Sequence, residues 1–109
     1  MKQSLVAERY AKTLYIAADR VGETDLVQGE FQIVLDLFKK HQEFQQFLVN
    51  PTIKLRIKEA LLQDVFKKSL SKLSLNFLSL LGKKNRLYLL EKVSSSFLEL
   101  VQAQRGIKL

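Results

Sequence analysis

Acid–base and nucleophilic catalysis usually draw on a tuned histidine, a thiolate, or carboxylates held by a second group. This 109-residue chain offers one histidine and no cysteine. His41 lies in the polar run Lys39-Lys40-His41-Gln42-Glu43, which reads as a solvated helix end. One histidine without cysteine does not make a zinc ligand set. Gly22, Gly29, Gly82 and Gly106 are too dispersed to build a phosphate-cradling loop, and no GxxxxGK[ST], GxGxxG or GxSxG pattern occurs. The carboxylates mostly neighbour Lys or Arg on helical surfaces, as in Glu8 and Lys12 at an i,i+4 spacing that modestly supports a helix. No catalytic, metal-ligating or cofactor-binding residue is assigned, and the expectation is a non-enzymatic binding domain.

Charge is the next feature with chemical meaning. The net charge is +7, but residues 1–50 hold six Lys/Arg against seven Asp/Glu, whereas residues 51–109 hold twelve against four. A basic half can meet phosphate, an anionic membrane or an acidic protein, or it can be a solvated Lys-rich surface. Lys67, Lys68, Lys72, Lys83, Lys84 and Arg86 concentrate it, so a basic helical nucleic-acid-binding module is the alternative reading. Against that alternative, there is no RNA-recognition, KH or zinc-finger signature, and the aromatics mostly fall on faces expected to be buried.

With 47% apolar and 27% charged residues the chain has the composition of a folded domain. Without cysteine its stability must come from apolar packing. No apolar run approaches the roughly 20 residues that cross a bilayer, and a soluble or peripheral protein is expected.

One proline and four glycines give little of the punctuation that strands require, so helices should dominate. The first is expected from a Ser4 cap through Val6, Ala7, Tyr10, Ala11, Leu14, Ala17, Ala18 and Val21 to a stop at Gly22. The second follows a Thr24-Asp25 cap, with Val27, Phe31, Val34 and Phe38 on one face and Leu26, Ile33 and Leu37 beside it. A short helical turn with Phe44, Phe47 and Leu48 should stop at Asn50-Pro51, because proline disfavours helical geometry in the preceding residue. Ile57, Leu61, Leu62, Val65 and Phe66 suggest a fourth helix, and residues 67–72 a solvated connection. Ser74 is expected to cap a fifth helix from Leu75 to about Lys84, closed by Asn85, which tolerates the left-handed conformation. The last helix runs from Leu87 to about Arg105, with Leu87, Leu90, Val93, Phe97, Leu100 and Val101 inward.

These elements make an all-α, six-helix bundle over residues 1–105. Residues 106–109 are expected to begin a linker to a missing C-terminal domain, since Gly106 stops the helical pattern and Ile107-Lys108-Leu109 alternates like a strand.

Three separated stretches carry a family resemblance: Val6 to Tyr15 (VAERYAKTLY), Leu48 to Ile53 (LVNPTI), and Leu75 to Leu81 (LNFLSLL) running into Lys84-Asn85-Arg86-Leu87. In order and spacing they resemble the delta subunit of bacterial and chloroplast F-type ATP synthases, called the oligomycin-sensitivity-conferring protein in mitochondria. The closing FLELVQAQRGI is similar to that family's sixth helix and its join to the next domain. Asn85 departs from the family's usual glycine and Thr13 from a common alanine.

The resemblance implies a non-catalytic six-helix domain of the peripheral stalk, or stator, that caps the catalytic head and helps hold it against rotor torque. It implies two partners: the N-terminal helix of an alpha subunit, gripped between the first and fifth helices, and the b-subunit stalk, engaged through the C-terminal domain. It implies no cofactor, no nucleic acid, contact with the membrane only through the complex, and a monomeric isolated domain. Its place would be the cytoplasmic face of the inner (plasma) membrane, or the organellar equivalent. On this reading Val6, Tyr10, Thr13 and Ala17 form an i, i+4, i+7, i+11 stripe facing the partner, and Asn76, Leu80 and Lys83 face it from the fifth helix. Arg86 adds a rim contact to an acidic residue, and Leu14 serves either groove or core. Without the resemblance, Tyr10 and Leu80 would read as ordinary core. Ala7, Ala11 and Ala18 are assigned to close packing inside the bundle.

Overall fold

The computed structural model describes residues 2–105; the reading of 106–109 as a linker lies outside them. Six α-helices occur in order: α1 Lys2–Arg20, α2 Thr24–Lys40, α3 Gln42–Val49, α4 Leu55–Phe66, α5 Lys72–Lys83 and α6 Leu90–Gln104, the last entered through a single 3-10 turn at Leu87–Leu89. No strand occurs among the described residues.

The helix starts differ from the sequence expectation for local chemical reasons. Ser4 does not cap α1, which already runs from Lys2, because Lys2 and Gln3 are themselves good helix formers. Gly22, at φ 71°, closes α1 in the left-handed conformation, and the Gly22 and Glu23 amides fold back onto the Asp19 and Ala18 carbonyls at 3.1 and 2.8 Å. That turn delivers Glu23 straight to the N-cap of α2, so Thr24 is its first helical residue and not its cap. At the end of α3 the Asn50 side-chain oxygen accepts from the Thr52 amide and hydroxyl at 2.9 and 2.8 Å, turning the chain just before Pro51. Ser71, not Ser74, caps α5, accepting from the Ser74 amide at 3.3 Å, and so α5 begins three residues earlier than expected.

Packing follows the periodicity of each helix. Ala7, Ala11, Leu14 and Ala18 are 0–2% exposed; the three alanines are small enough for α1 to lie close on α6, its principal neighbour. Val27, Phe31, Val34 and Phe38 are all buried and put α2 at the centre of the bundle, in contact with α1, α3, α5 and α6. Leu26 and Ile33 are exposed instead of packing beside them. Helix α5 packs chiefly on α4. A continuous run of aromatic contacts, Tyr10–Phe77–Phe31–Phe97–Tyr15, crosses the interior with centroid separations of 6.2, 5.9, 5.8 and 6.0 Å.

The inward face of α4 differs from expectation. Lys58, Leu62 and Phe66 are buried, whereas Ile57 and Val65 are exposed. The i, i+4, i+8 line through Lys58 wins because its methylene stem packs as a hydrophobe, and burial lowers its ammonium pKa below the usual lysine value. The connection after α4 is not fully solvated either, since Leu70 is buried. Glu8 and Lys12 are both exposed and form no ion pair; among the described residues the one ion pair is Arg105 with Asp25.

Candidate protein-binding groove

Helices α1 and α5 run along two sides of a groove of about 490 Å³. Neither helix has the other as its main support, since α1 is seated on α6 and α5 on α4. A trough between them is the geometric result. Its floor is apolar: Leu14 and Phe77 are buried, and the half-buried Val6, Tyr10, Ala17 and Leu73 rise from it. Its rim is polar, with Arg9, Thr13 and Asn76 exposed and Arg86 half-buried. Leu80 projects from the α5 wall at 39% exposure.

Eight of the nine residues singled out from sequence come together here: Val6, Tyr10, Thr13, Leu14, Ala17, Asn76, Leu80 and Arg86 all line the groove. Lys83 does not; it lies exposed in the last turn of α5, outside the lining. Three lining residues escaped the sequence reading. Arg9 lies between Val6 and Thr13 at i+3 and i−4, so the α1 spacing contained it. Leu73 falls before the expected start of α5 at Leu75, and Phe77, which the sequence reading assigns no role, is both buried and part of the lining.

The Arg86 end is built by a backbone device. Asn85 adopts φ 56°, and with it the Asn85 and Arg86 amides bond back to the Gly82 and Leu81 carbonyls at 3.0 and 2.7 Å. This closure turns the chain sharply after α5 and swings Arg86 over the groove toward α1. There its Nη1 donates to the Tyr10 hydroxyl at 2.8 Å, a bond joining residues 76 apart in sequence. The guanidinium carbon stands 5.6 Å from the Tyr10 ring centre, so the hydroxyl bond, not the ring face, is the main attachment. Tyr10 in turn meets Phe77 edge-on. Among the described residues, Arg9 and Arg86 are the charged members of the lining, and none of its members is a carboxylate.

At the opposite end, α5 is fixed by a residue that sequence reasoning passed over. Glu30, only 5% exposed, accepts from the Ser71 amide at 2.5 Å, the Ser71 hydroxyl at 2.7 Å and the Ser74 hydroxyl at 2.6 Å. Its negative charge sits at the N-terminus of α5, where helix amides and dipole favour an anion. These groups hold one wall of the groove in place. No cluster of three or more His, Asp or Glu suited to a metal ion occurs among the described residues.

Residues 6–109 match the sequence model of a family described as ATP synthase delta (OSCP) subunit. Among curated relatives, ATP synthase subunit delta of Microcystis aeruginosa is 33% identical over 99 residues, which is 91% of this chain and 54% of that protein. The subunit delta of Desulfatibacillum aliphaticivorans is 31% identical over 98% of this chain and 59% of its own length. A chloroplastic subunit delta of Ochrosphaera neapolitana is 31% identical over 100% of this chain and 61% of its own. The chain thus spans little more than half the length of these relatives. In fold it is similar to a chain in a cryo-EM structure of Polytomella F-ATP synthase, with a TM-score of 0.83 at 23% identity, covering 91% of this chain and 88% of that one.

Proposed function

The chain belongs to the ATP synthase delta (OSCP) subunit family, and from that premise we propose that it is a non-catalytic stator component whose α1/α5 groove takes the N-terminal helix of an alpha subunit. The observation that carries this reading is the groove itself, an apolar floor with a polar rim between two helices. Such a trough suits an amphipathic helix, which sets apolar anchors at i, i+3, i+4 and i+7 into the floor and fixes its register by polar contacts at the rim. Held there, the domain helps to keep the catalytic head from turning with the rotor. Attachment to the b-subunit stalk falls to the remainder of a full-length subunit. The working location is peripheral, on the cytoplasmic face of the membrane or its organellar equivalent.

The basic residues favour the alternative nucleic-acid reading less than their number suggests. Lys67 and Lys68 follow the end of α4, Lys72 opens α5, and Lys83 and Lys84 stand at its far end, all exposed. At 1.5 Å per helical residue Lys72 and Lys83 are about 16 Å apart, a divided distribution without a stacking platform along α5 among the described residues.

Leu80→Asp is the cleanest test. Leu80 is 39% exposed, so the substitution buries no charge and should leave the melting temperature within a few degrees. It should remove an apolar anchor worth about 1–2 kcal/mol and weaken a synthetic alpha-subunit N-terminal peptide by about five- to thirtyfold in calorimetric titration. Undiminished binding would refute the groove assignment. Tyr10→Ala is a poorer probe, because Tyr10 also packs against Phe77.

A further inference from the structure

Helix α5 starts in a way that its own residues do not support. Its first residue is Lys72 and its first turn holds no acidic residue, although the amides at a helix start favour a negative charge. At 12 residues it is also marginal as a helix by itself. The missing charge comes from another helix: Glu30 of α2 accepts from the Ser71 amide and from the Ser71 and Ser74 hydroxyls, while the Ser71 hydroxyl oxygen accepts from the Ser74 amide. Between those two serines stands Leu73, a half-buried member of the groove lining. Next to Glu30, the fully buried Phe31 meets the floor residue Phe77 at 5.9 Å. Yet among the described residues no member of the lining belongs to α2.

We propose that Glu30 is a positioning residue for the groove: by capping α5 from α2 it holds Leu73 in the lining, and so sets the affinity for a docked helix without touching it. This rests on the reading of the groove as a helix-binding site and adds a control point outside it. Without the carboxylate, the start of α5 keeps only its Ser71 cap beside an unfavourable Lys72. The first turn then frays and takes Leu73 out of the α5 wall, while Phe77 and Leu80, further along the helix, stay. A docked helix loses one apolar anchor and keeps the rest. Because linkage is reciprocal, an occupant packed on Leu73 steadies the start of α5 by as much as Glu30 favours the occupant.

The test measures peptide binding and amide exchange on the same proteins. The 109-residue chain is titrated with the synthetic N-terminal helix of the alpha subunit from the same genome. Glu30→Gln, which keeps the shape and removes the charge, should weaken binding about five- to tenfold, the worth of one partly buried leucine. In the free protein it should speed exchange of the Ser74 and Leu75 amides, both bonded to Ser71, and leave the Asn85 and Arg86 amides beyond the far end of α5 as in wild type. Phe38→Leu changes the core on the same helix, at a ring that meets Phe44 and does not line the groove. It should lower stability without changing peptide affinity. Leu73→Ala should weaken binding in wild type and add almost nothing in the Glu30→Gln background. Ser74→Ala, which removes one of the three donors and installs a good helix former, should act in the same direction as Glu30→Gln and serves if that variant does not fold. Wild-type affinity in Glu30→Gln, or in Ser74→Ala where it stands in, overturns the inference and leaves the groove reading intact. An equal loss in Phe38→Leu also overturns it, since the effect is then one of stability alone, and so does full additivity with Leu73→Ala. Failure of the wild-type chain to bind the peptide sinks the groove reading, and this inference with it.

Discussion

Glu30 shows how much one side chain can settle in the placing of a helix. Its carboxylate accepts three hydrogen bonds at the start of α5, so removing it orphans two buried or half-buried serines. Glu30→Ala should lower unfolding stability by about 3 kcal/mol, the cost of losing charge-assisted bonds and stranding their donors. Glu30→Gln, with one acceptor oxygen, should fall between, as read from urea midpoints. Nothing in the sequence flagged this residue, because its partners lie 41 and 44 positions away and local spacing is silent about such pairings. Lys58 was missed for the opposite reason: a charged residue is scored as surface even where its stem is core. Since burial lowers its pKa from 10.5, the ionised form is disfavoured in the folded chain. Lys58→Met should therefore be more stable at neutral pH by up to about 1 kcal/mol. The sign of the pH dependence follows. Wild type carries the penalty in full below the folded pKa and sheds it as pH rises through that value toward the unfolded 10.5. The gap between the two chains should then narrow in alkaline denaturation series; a gap that widens would contradict the assignment.

The helices themselves were legible wherever apolar residues recur at helical spacing without competition. The alanine face of α1, the Val27–Phe38 face of α2 and the Leu90–Val101 face of α6 lie where periodicity puts them. The errors gather at helix starts, at Ser4, Thr24 and Ser74, where several residues could cap and long-range contacts choose among them. Helix ends were clearer, because a left-handed residue is a steric demand that few side chains meet. Asn85 is the instructive case. Asn85→Gly should change stability by no more than about 0.5 kcal/mol, since both residues accept φ 56°. Asn85→Val should cost about 1–2 kcal/mol and, by displacing Arg86, weaken peptide binding as well. Thermal melts paired with titrations separate the two effects.

At the scale of the whole molecule, the groove was readable only as two half-sites. The α1 stripe and the α5 residues could each be written down from spacing, but their facing one another depends on which helices support which, and no local pattern carries that. The family resemblance supplied the pairing in advance, and the structure supplies its mechanical reason. The two walls belong to different packing pairs, α1 with α6 and α5 with α4. They are tied directly across the groove by Tyr10, through its bond to Arg86 and its edge contact with Phe77. A rod lying lengthwise in such a cradle resists sliding on both flanks at once, as a bolt does in a hasp, whereas a sideways tug need only pry one flank from the other. On the proposed reading, the cradle would hold a docked rod more firmly along its axis than across it. An assembly that must withstand a steady twist does best to run that axis along the direction of pull.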